Sequence, residues 1–222
     1  MPIEVSCPVC DDPCPDPFLS VDERDYWRCR RCLATFLDPA QLPSAITAAI
    51  QYGLHCNDPA DPGYRAFLGR LADPLLARLP PAQQGLDYGC GPGHALAALL
   101  AEAGHHVALY DPLYRPDEAV LERRYAFITC TEVVEHFHHP GAEFARLHNL
   151  LLPGAWLGVM TRLQTDDRRF ANWNYRRDPT HVVFYRAATL EFIAQRFGWT
   201  SEILAPDVVL FRRQGWAAAR SS

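Results

Sequence analysis

Lysine is absent. All 21 basic side chains are arginine, set against 26 acids, and the formal net charge over 222 residues is −5. The arginine bias is a compositional trait and carries no mechanism. A net acidic chain lacks the basic stripe that phosphate-backbone binding requires, so nucleic acid is not an expected partner. No apolar run approaches the roughly 18 residues of a membrane span. The opening Met1-Pro2-Ile3-Glu4 has neither the basic nor the apolar part of a secretory leader. The expectation is a cytoplasmic protein with no membrane partner. Hydrophobic residues, 49% of the chain, suffice for one main domain plus an appendage.

Eight cysteines are present, which would favour disulfides only in an oxidising compartment. Four of them are paired as Cys7-Pro8-Val9-Cys10 and Cys29-Arg30-Arg31-Cys32. This is the spacing of a zinc ribbon, in which each C-x-x-C turn aims two thiolates at one point. Four sulfur ligands leave no open position, so the expected Zn2+ is structural. Its binding would supply about 10–16 kcal/mol to a segment poor in large apolar side chains. Cys14 is expected to be a spectator. A redox dithiol is disfavoured because neither pair sits in a thioredoxin-like strand–helix context. Residues 1–40 hold eight acids against four arginines, so the ribbon reads as a lid, wall or docking element rather than a nucleic-acid clamp.

The most informative stretch is Leu86-Asp87-Tyr88-Gly89-Cys90-Gly91-Pro92-Gly93-His94, followed by an Ala/Leu-rich helix to about Ala103. Glycines at alternating positions expose bare backbone to a ligand and tolerate positive φ. The helix start behind them leaves amide donors unpaired. A dinucleotide fingerprint would need its third glycine at His94, and the chain instead reads D-x-G-x-G-x-G. Beyond Gly104, His106 to Tyr110 reads as a buried strand ending in Asp111-Pro112, placed for a carboxylate to accept both hydroxyls of a ribose. Tyr125 to Cys130 reads as another strand and continues into Thr131-Glu132-Val133-Val134-Glu135-His136-Phe137.

These motifs resemble those of the class I S-adenosylmethionine-dependent methyltransferases, in the ubiquinone-type O-methyltransferase branch where an EVLEH-like stretch is common. The resemblance covers about residues 85–213. It implies an α/β fold: a Rossmann-like class I methyltransferase sheet, here with a shortened third-strand region and a small N-terminal zinc ribbon. It implies S-adenosylmethionine as cofactor, held by Asp87, Tyr88, Gly89, Cys90, Gly91 and Gly93, by Asp111 and Pro112, and by Cys130 and Thr131 beside the methionine portion. Only fifteen residues separate Asp111 from Phe127, two of them prolines, so the third strand is expected to be stunted and no adenine-contacting residue is assigned. A helix over about 141–151, a turn at Leu152 to Ala155, a strand Trp156 to Thr161, a helix Thr189 to Phe197 and an antiparallel pair around Ile203 and Val208 to Phe211 complete the expected domain.

The domain reading is a zinc-ribbon segment at 1–38, a helical linker or lid at 39–84, the catalytic domain at 85–215 and a tail at 216–222. The linker is expected to hold short helices. Its Tyr52, His55, Asn57, Tyr64 and Arg65 either line the site or are ordinary helix-surface polarity. The segment from Arg162 to Arg186 carries six arginines against three aspartates. Trp173, Tyr175, Arg176 and Arg177 there suit a planar or anionic small-molecule substrate. His181 is the expected base and Tyr185, one helical turn on, the group that orients the acceptor. For His136 a structural hydrogen bond is favoured over catalysis. His138 and His139 lack an identifiable carboxylate partner, so no catalytic metal is expected. The resulting reading is methyl transfer to a small molecule, with anionic and sugar-linked acceptors both compatible. The alternatives are RNA or protein methylation, or a non-catalytic module docking through the ribbon.

Overall fold

The computed structural model describes residues 5–53 and 58–215. His55, Asn57 and the tail at 216–222 lie outside the described residues. The chain opens with the first C-x-x-C turn, then β1 (Asp16–Val21) and β2 (Arg24–Arg28). Their hairpin turns at Asp22 and Glu23, both at positive φ, the pairing that matches strand twist in a two-residue loop. β3 (Thr35–Leu37) follows the second C-x-x-C turn and pairs with β2.

Two helices come next. α1 (Ala45–Tyr52) is capped by the Ser44 hydroxyl on the Thr47 amide. α2 (Pro62–Leu76) starts with Pro62 in its first turn and the Asp61 carboxylate on the Gly63 and Tyr64 amides. At 15 residues α2 is longer than the proline content of the linker predicts. Its internal Pro74 removes the amide that would donate to the Arg70 carbonyl, and the helix ends two residues later.

The catalytic half then runs β4 (Gln84–Tyr88), α3 (Ala95–Glu102), β5 (His106–Tyr110), β6 (Tyr125–Thr131), α4 (Pro140–Leu150) and β7 (Leu151–Met160). It ends with α5 (Asn174–Arg177), β8 (Val183–Phe184), α6 (Ala187–Phe197), β9 (Trp199–Ala205) and β10 (Val208–Arg213). The main sheet has the order β5-β4-β6-β7-β10-β9. Its first four strands are parallel, and β10 is antiparallel to both neighbours. α2 and α3 cover one face, with Leu68, Leu71 and Leu75 meeting Leu96, Leu100, Met160 and Leu210. α4 and α6 contribute Phe144, Leu147, Leu190 and Ile193 to the other core.

Between β5 and β6 the described residues contain no third strand. A tight turn closed by reciprocal Asp111–Arg115 backbone bonds leads to a single 3-10 turn at Glu118–Glu122, and β5 is left as the sheet edge. Because β5 and β6 flank β4 on opposite sides, the strand order reverses at β4, and the crevice beyond its carboxyl end is where ligands bind in this class of sheet.

The N-terminal segment is not a detached ribbon. β8, from the far end of the chain, adds to β3 and completes a four-stranded sheet β1-β2-β3-β8. The four cysteines, Tyr26 and Phe36 belong to the same hydrophobic core as Phe144, Tyr185 and Phe211. Among the described residues no helix is long and apolar enough to cross a membrane.

Two positions on β4 test this packing. A methyl group at Gly85 would run into the ring of Phe127, which is fully buried and has nowhere to go. Gly85→Ala is therefore expected to lower stability by about 1–3 kcal/mol in urea unfolding. Asp87 is buried and accepts from the Thr129 hydroxyl at 2.8 Å. Burial pushes its carboxyl up from 3.8 to about 6. The folded state thus favours the protonated form, and the cost of ionising Asp87 appears as pH rises from about 4 through 6. Asp87→Asn is expected to match the wild type near pH 4 and to gain relative stability above pH 6. A pH-independent difference would contradict this assignment.

Candidate active site

The glycine loop is tied down at its start and open at its middle. The Gly89 and Cys90 amides donate to the Tyr110 carbonyl at 2.8 and 3.1 Å, which locks the loop onto the end of β5. Gly89 and Gly91 both have positive φ, as alternating glycines predict. A Cβ at Gly89 would overlap Val133, whereas one at Gly91 would meet nothing within 4 Å. Gly89 therefore serves close packing against the segment after β6, and Gly91 opens onto the crevice. The Gly91 amide donates to Asp111 Oδ2 at 3.1 Å, and Asp111 Oδ1 accepts from the Leu113 and Tyr114 amides. The carboxylate at the end of β5 is thereby aimed back at the loop, with Pro112 beginning the turn behind it.

Other residues read as cofactor contacts divide by side-chain direction. Tyr88 turns away, its hydroxyl donating to Glu143 at 2.5 Å, so it can offer only main chain. Cys90 is half-buried, and burial, with Asp87 and Asp111 nearby, pushes its thiol up to about 12. Cys130 is fully buried within β6, while the Thr131 hydroxyl is buried at the strand's carboxyl end and has no hydrogen-bond partner among the described residues.

Beyond Thr131 the chain makes a sharp exit, with Glu132 at φ +51 and a 3-10 turn over Val134–His136. Glu135 is fully buried beside the Tyr175 and Thr161 hydroxyls, and among the described residues neither carboxylate oxygen makes a hydrogen bond of good geometry. Burial drives the carboxyls of both Glu132 and Glu135 upward. His136 Nδ1 lies 3.0 Å from the Thr180 carbonyl and His181 Nδ1 lies 2.7 Å from the Tyr175 carbonyl. Their Nε2 atoms stand 3.9 and 4.0 Å from Glu135 Oε1. Tyr52, at the end of α1, sets its ring edge-on to His136 at 5.1 Å. Burial, with Asp178 and Glu135 nearby, pushes its hydroxyl up to about 12, and the neighbouring Gln51 amide donates to Asp178 at 3.3 Å, which ties the end of α1 to this side of the protein. Tyr64 is half-buried within reach of Asp87 and Glu132, whereas Arg65 pairs with Glu102 on the surface of α3.

The arginine- and aromatic-rich segment differs most from expectation. Arg176 is not available to a ligand: it is 1% exposed and donates to Asp22 at 2.5 Å and to the Ala171 carbonyl at 2.9 Å. It staples α5 to the N-terminal hairpin. Tyr185 is also removed from the acceptor, because its buried hydroxyl donates to the Val134 carbonyl at 2.8 Å. Nor is it a helical turn from His181, since β8 lies between them. Phe170 and Phe184 are core residues packed edge-on to Tyr26. Arg28 and Arg186 both pair with Asp167. Trp173 stays half-buried, with its ring 5.1 Å from that of Tyr175, and Tyr175 in turn lies 4.2 Å from the ring of His181. Arg177 is exposed.

Cys7, Cys10, Cys29 and Cys32 converge as four buried thiols, each ligand atom within 4.8 Å of the others. The Cys7–Cys32 and Cys10–Cys29 sulfurs are 3.5 Å apart, too far for a disulfide and close to the about 3.8 Å edge of a zinc–thiolate tetrahedron. The Arg31 and Cys32 amides donate to Cys29 Sγ. Cys14 is exposed and outside this group.

Glu132 and Glu135 were not among the residues assigned a role from the sequence. The signal was there: two carboxylates three residues apart after an apolar strand, in an arginine-rich chain with no arginine between Arg124 and Arg146.

Comparison with known proteins agrees with this geometry. The methyltransferase-domain family matches residues 63–202. No curated protein sequence matches significantly. Among solved structures, 1,6-didemethyltoxoflavin-N1-methyltransferase from Burkholderia thailandensis, bound to 1,6-didemethyltoxoflavin and S-adenosylhomocysteine, aligns over 90% of this chain and 99% of its own with TM-score 0.55 and 17% identity. An O-methyltransferase family protein from the same organism aligns over 79% of this chain and 65% of its own, with TM-score 0.50 and 16% identity. These likenesses establish a shared fold. With the family match over most of the sheet and the glycine loop in place, the chain belongs to the methyltransferase-domain family and is a class I S-adenosylmethionine-dependent methyltransferase.

Proposed function

We propose that the protein methylates a small-molecule acceptor, with the cofactor lying across the glycine loop and the acceptor entering between Tyr52 and the Glu135–His181 side. The observation that carries this reading is the Asp111 carboxylate aimed at the Gly91 amide at the carboxyl ends of the strands, where the Thr131 hydroxyl has no partner among the described residues. Gly89, Gly91 and Gly93 would present main chain to the cofactor, Asp111 would grip its ribose, and Asp87 would sit beneath. Pro112 would bound the ribose side, with Cys130 and Thr131 at the methionine end. When bound, the cofactor supplies a methyl group on a sulfonium, displaced in line to leave a neutral thioether. The chain's own task is alignment, which can contribute up to roughly 7–11 kcal/mol.

His181 serves the acceptor side with the tilted rings of Tyr175 and Trp173 behind it, and Arg177, exposed like Arg162, Arg168 and Arg169, is available to an anionic part of the acceptor. The Glu132–His136 stretch supports placement near the ubiquinone-type O-methyltransferases. In the comparison structure with its substrate bound, that substrate is also a small molecule, 1,6-didemethyltoxoflavin. The four cysteines would hold one structural zinc, a role their 3.5 Å sulfur spacings and amide-to-sulfur bonds fit.

Calorimetric titration should show one S-adenosylmethionine bound per chain. Losing hydrogen bonds to a carboxylate, at about 1.5–3 kcal/mol each, should make Asp111→Ala bind about 10–100-fold more weakly, and loss of its bonds from the Gly91, Leu113 and Tyr114 amides should also lower the unfolding temperature of the still folded variant. No binding by the wild type at millimolar cofactor would overturn the reading. Elemental analysis should find one zinc per chain. Cys29→Ser should lose it and unfold at a lower temperature, whereas Cys14→Ser should do neither.

A further inference from the structure

We propose that Glu135, His136 and His181 bind one divalent first-row transition ion, distinct from the ion held by the four cysteines. One oxygen of Glu135 and one nitrogen of each histidine lie within 4.8 Å of one another. The two Nε2 atoms stand 3.9 and 4.0 Å from Glu135 Oε1, too far to hydrogen-bond to it. An ion about 2.1 Å from each ligand atom sets neighbouring ligands about 3.0–3.4 Å apart, so modest side-chain closure completes the site.

The imidazoles are already set for this. A backbone carbonyl can only accept, so the contacts of His136 Nδ1 to Thr180 O and of His181 Nδ1 to Tyr175 O place a proton on each Nδ1. Each Nε2 is then the lone-pair atom and faces the carboxylate, the arrangement by which outer partners orient metal-binding histidines. Glu135 supplies the second argument. It is 0% exposed, among the described residues neither oxygen makes a hydrogen bond of good geometry, and the neighbouring Tyr175 and Thr161 hydroxyls, 3.1 Å from each other, bring it no positive charge. No arginine occurs between Arg124 and Arg146 to answer it locally.

The ligand backbones are held together. The Val182 amide donates to the Glu135 carbonyl at 2.9 Å and the Tyr185 hydroxyl to the Val134 carbonyl at 2.8 Å. Two imidazoles and one carboxylate suit Mn2+, Fe2+, Co2+ or Zn2+ better than Mg2+ or Ca2+. Three protein ligands leave coordination positions open, unlike the closed set of four thiolates. On the methyl-transfer reading given above, those positions would take an oxygen atom of the acceptor. Ion binding itself does not depend on that reading.

The test uses the full-length protein, dialysed against chelator under conditions that retain the cysteine-bound zinc by elemental analysis. Mn2+ is then titrated and the free ion is followed by electron paramagnetic resonance. The wild type should take up one Mn2+ per chain and unfold at a higher temperature with it. Glu135→Gln and His181→Asn should each weaken binding at least tenfold while keeping their zinc. Should one variant fail to fold, the other decides, and His136→Asn is a third. Absence of Mn2+, Co2+ or Fe2+ uptake by the wild type, or wild-type Mn2+ affinity in folded Glu135→Gln, would overturn the proposal. Calorimetry with S-adenosylmethionine on the same samples separates the readings: cofactor binding without ion binding sinks only the ion.

Discussion

Val182 is held at both ends of its peptide, and the acceptor side of the protein depends on that. Its amide donates to the Glu135 carbonyl, and its carbonyl accepts from the Leu37 amide. One residue therefore joins the sheet beside the cysteine turns to the turn that follows β6. On either side of it, His136 reaches Thr180 and Tyr185 reaches Val134, so the stretch from 180 to 185 is laced to the stretch from 134 to 136. Buried backbone polar groups must find partners. Here the partners they find draw two histidines and a carboxylate into one place.

This lacing explains why the N-terminal segment and the substrate-side segment share one core. A cysteine-rich stretch of this size has little apolar surface of its own. The far segment supplies Phe170, which meets Phe18 and Tyr26, Phe184, which meets Tyr26, and Trp173, which packs behind both. Arg176 and Asp22 add a charge-assisted bond across the same contact. Aromatic rings and arginines together resemble a ligand-binding surface in a linear sequence, and in three dimensions most of them are the mortar between two sheets.

The local signals in the chain were legible and the long-range ones were not. The glycine loop, the carboxylate after β5, the C-x-x-C pairs and the antiparallel end of the sheet all express themselves within a few residues, through turn geometry, metal-ligand spacing or period-two apolar runs. A stunted third strand was also legible, because too few residues separate Asp111 from Phe127 to build a helix and a full strand, and the described residues go further and hold no strand there. By contrast, the two-residue β8 has no periodicity to detect, and its partner lies near the opposite end of the sequence. Without that pairing, Arg176 looks exposed and Tyr185 looks like a neighbour of substrate. Glu135 escaped for a related reason: a carboxylate reveals that it is buried and unanswered only when every surrounding element is in place.

The late arrival of β8 also governs how the molecule can assemble. As the chain emerges from the ribosome, the hairpin and its cysteine turns appear first, but the strand that closes their sheet comes after most of the remaining sequence. Pairings so distant in sequence slow folding, because the intervening chain must first be brought together. In the meantime an exposed β3 edge has to avoid pairing with another chain. Metal capture by the early cysteines would give the nascent segment a fixed shape that waits for its missing strand.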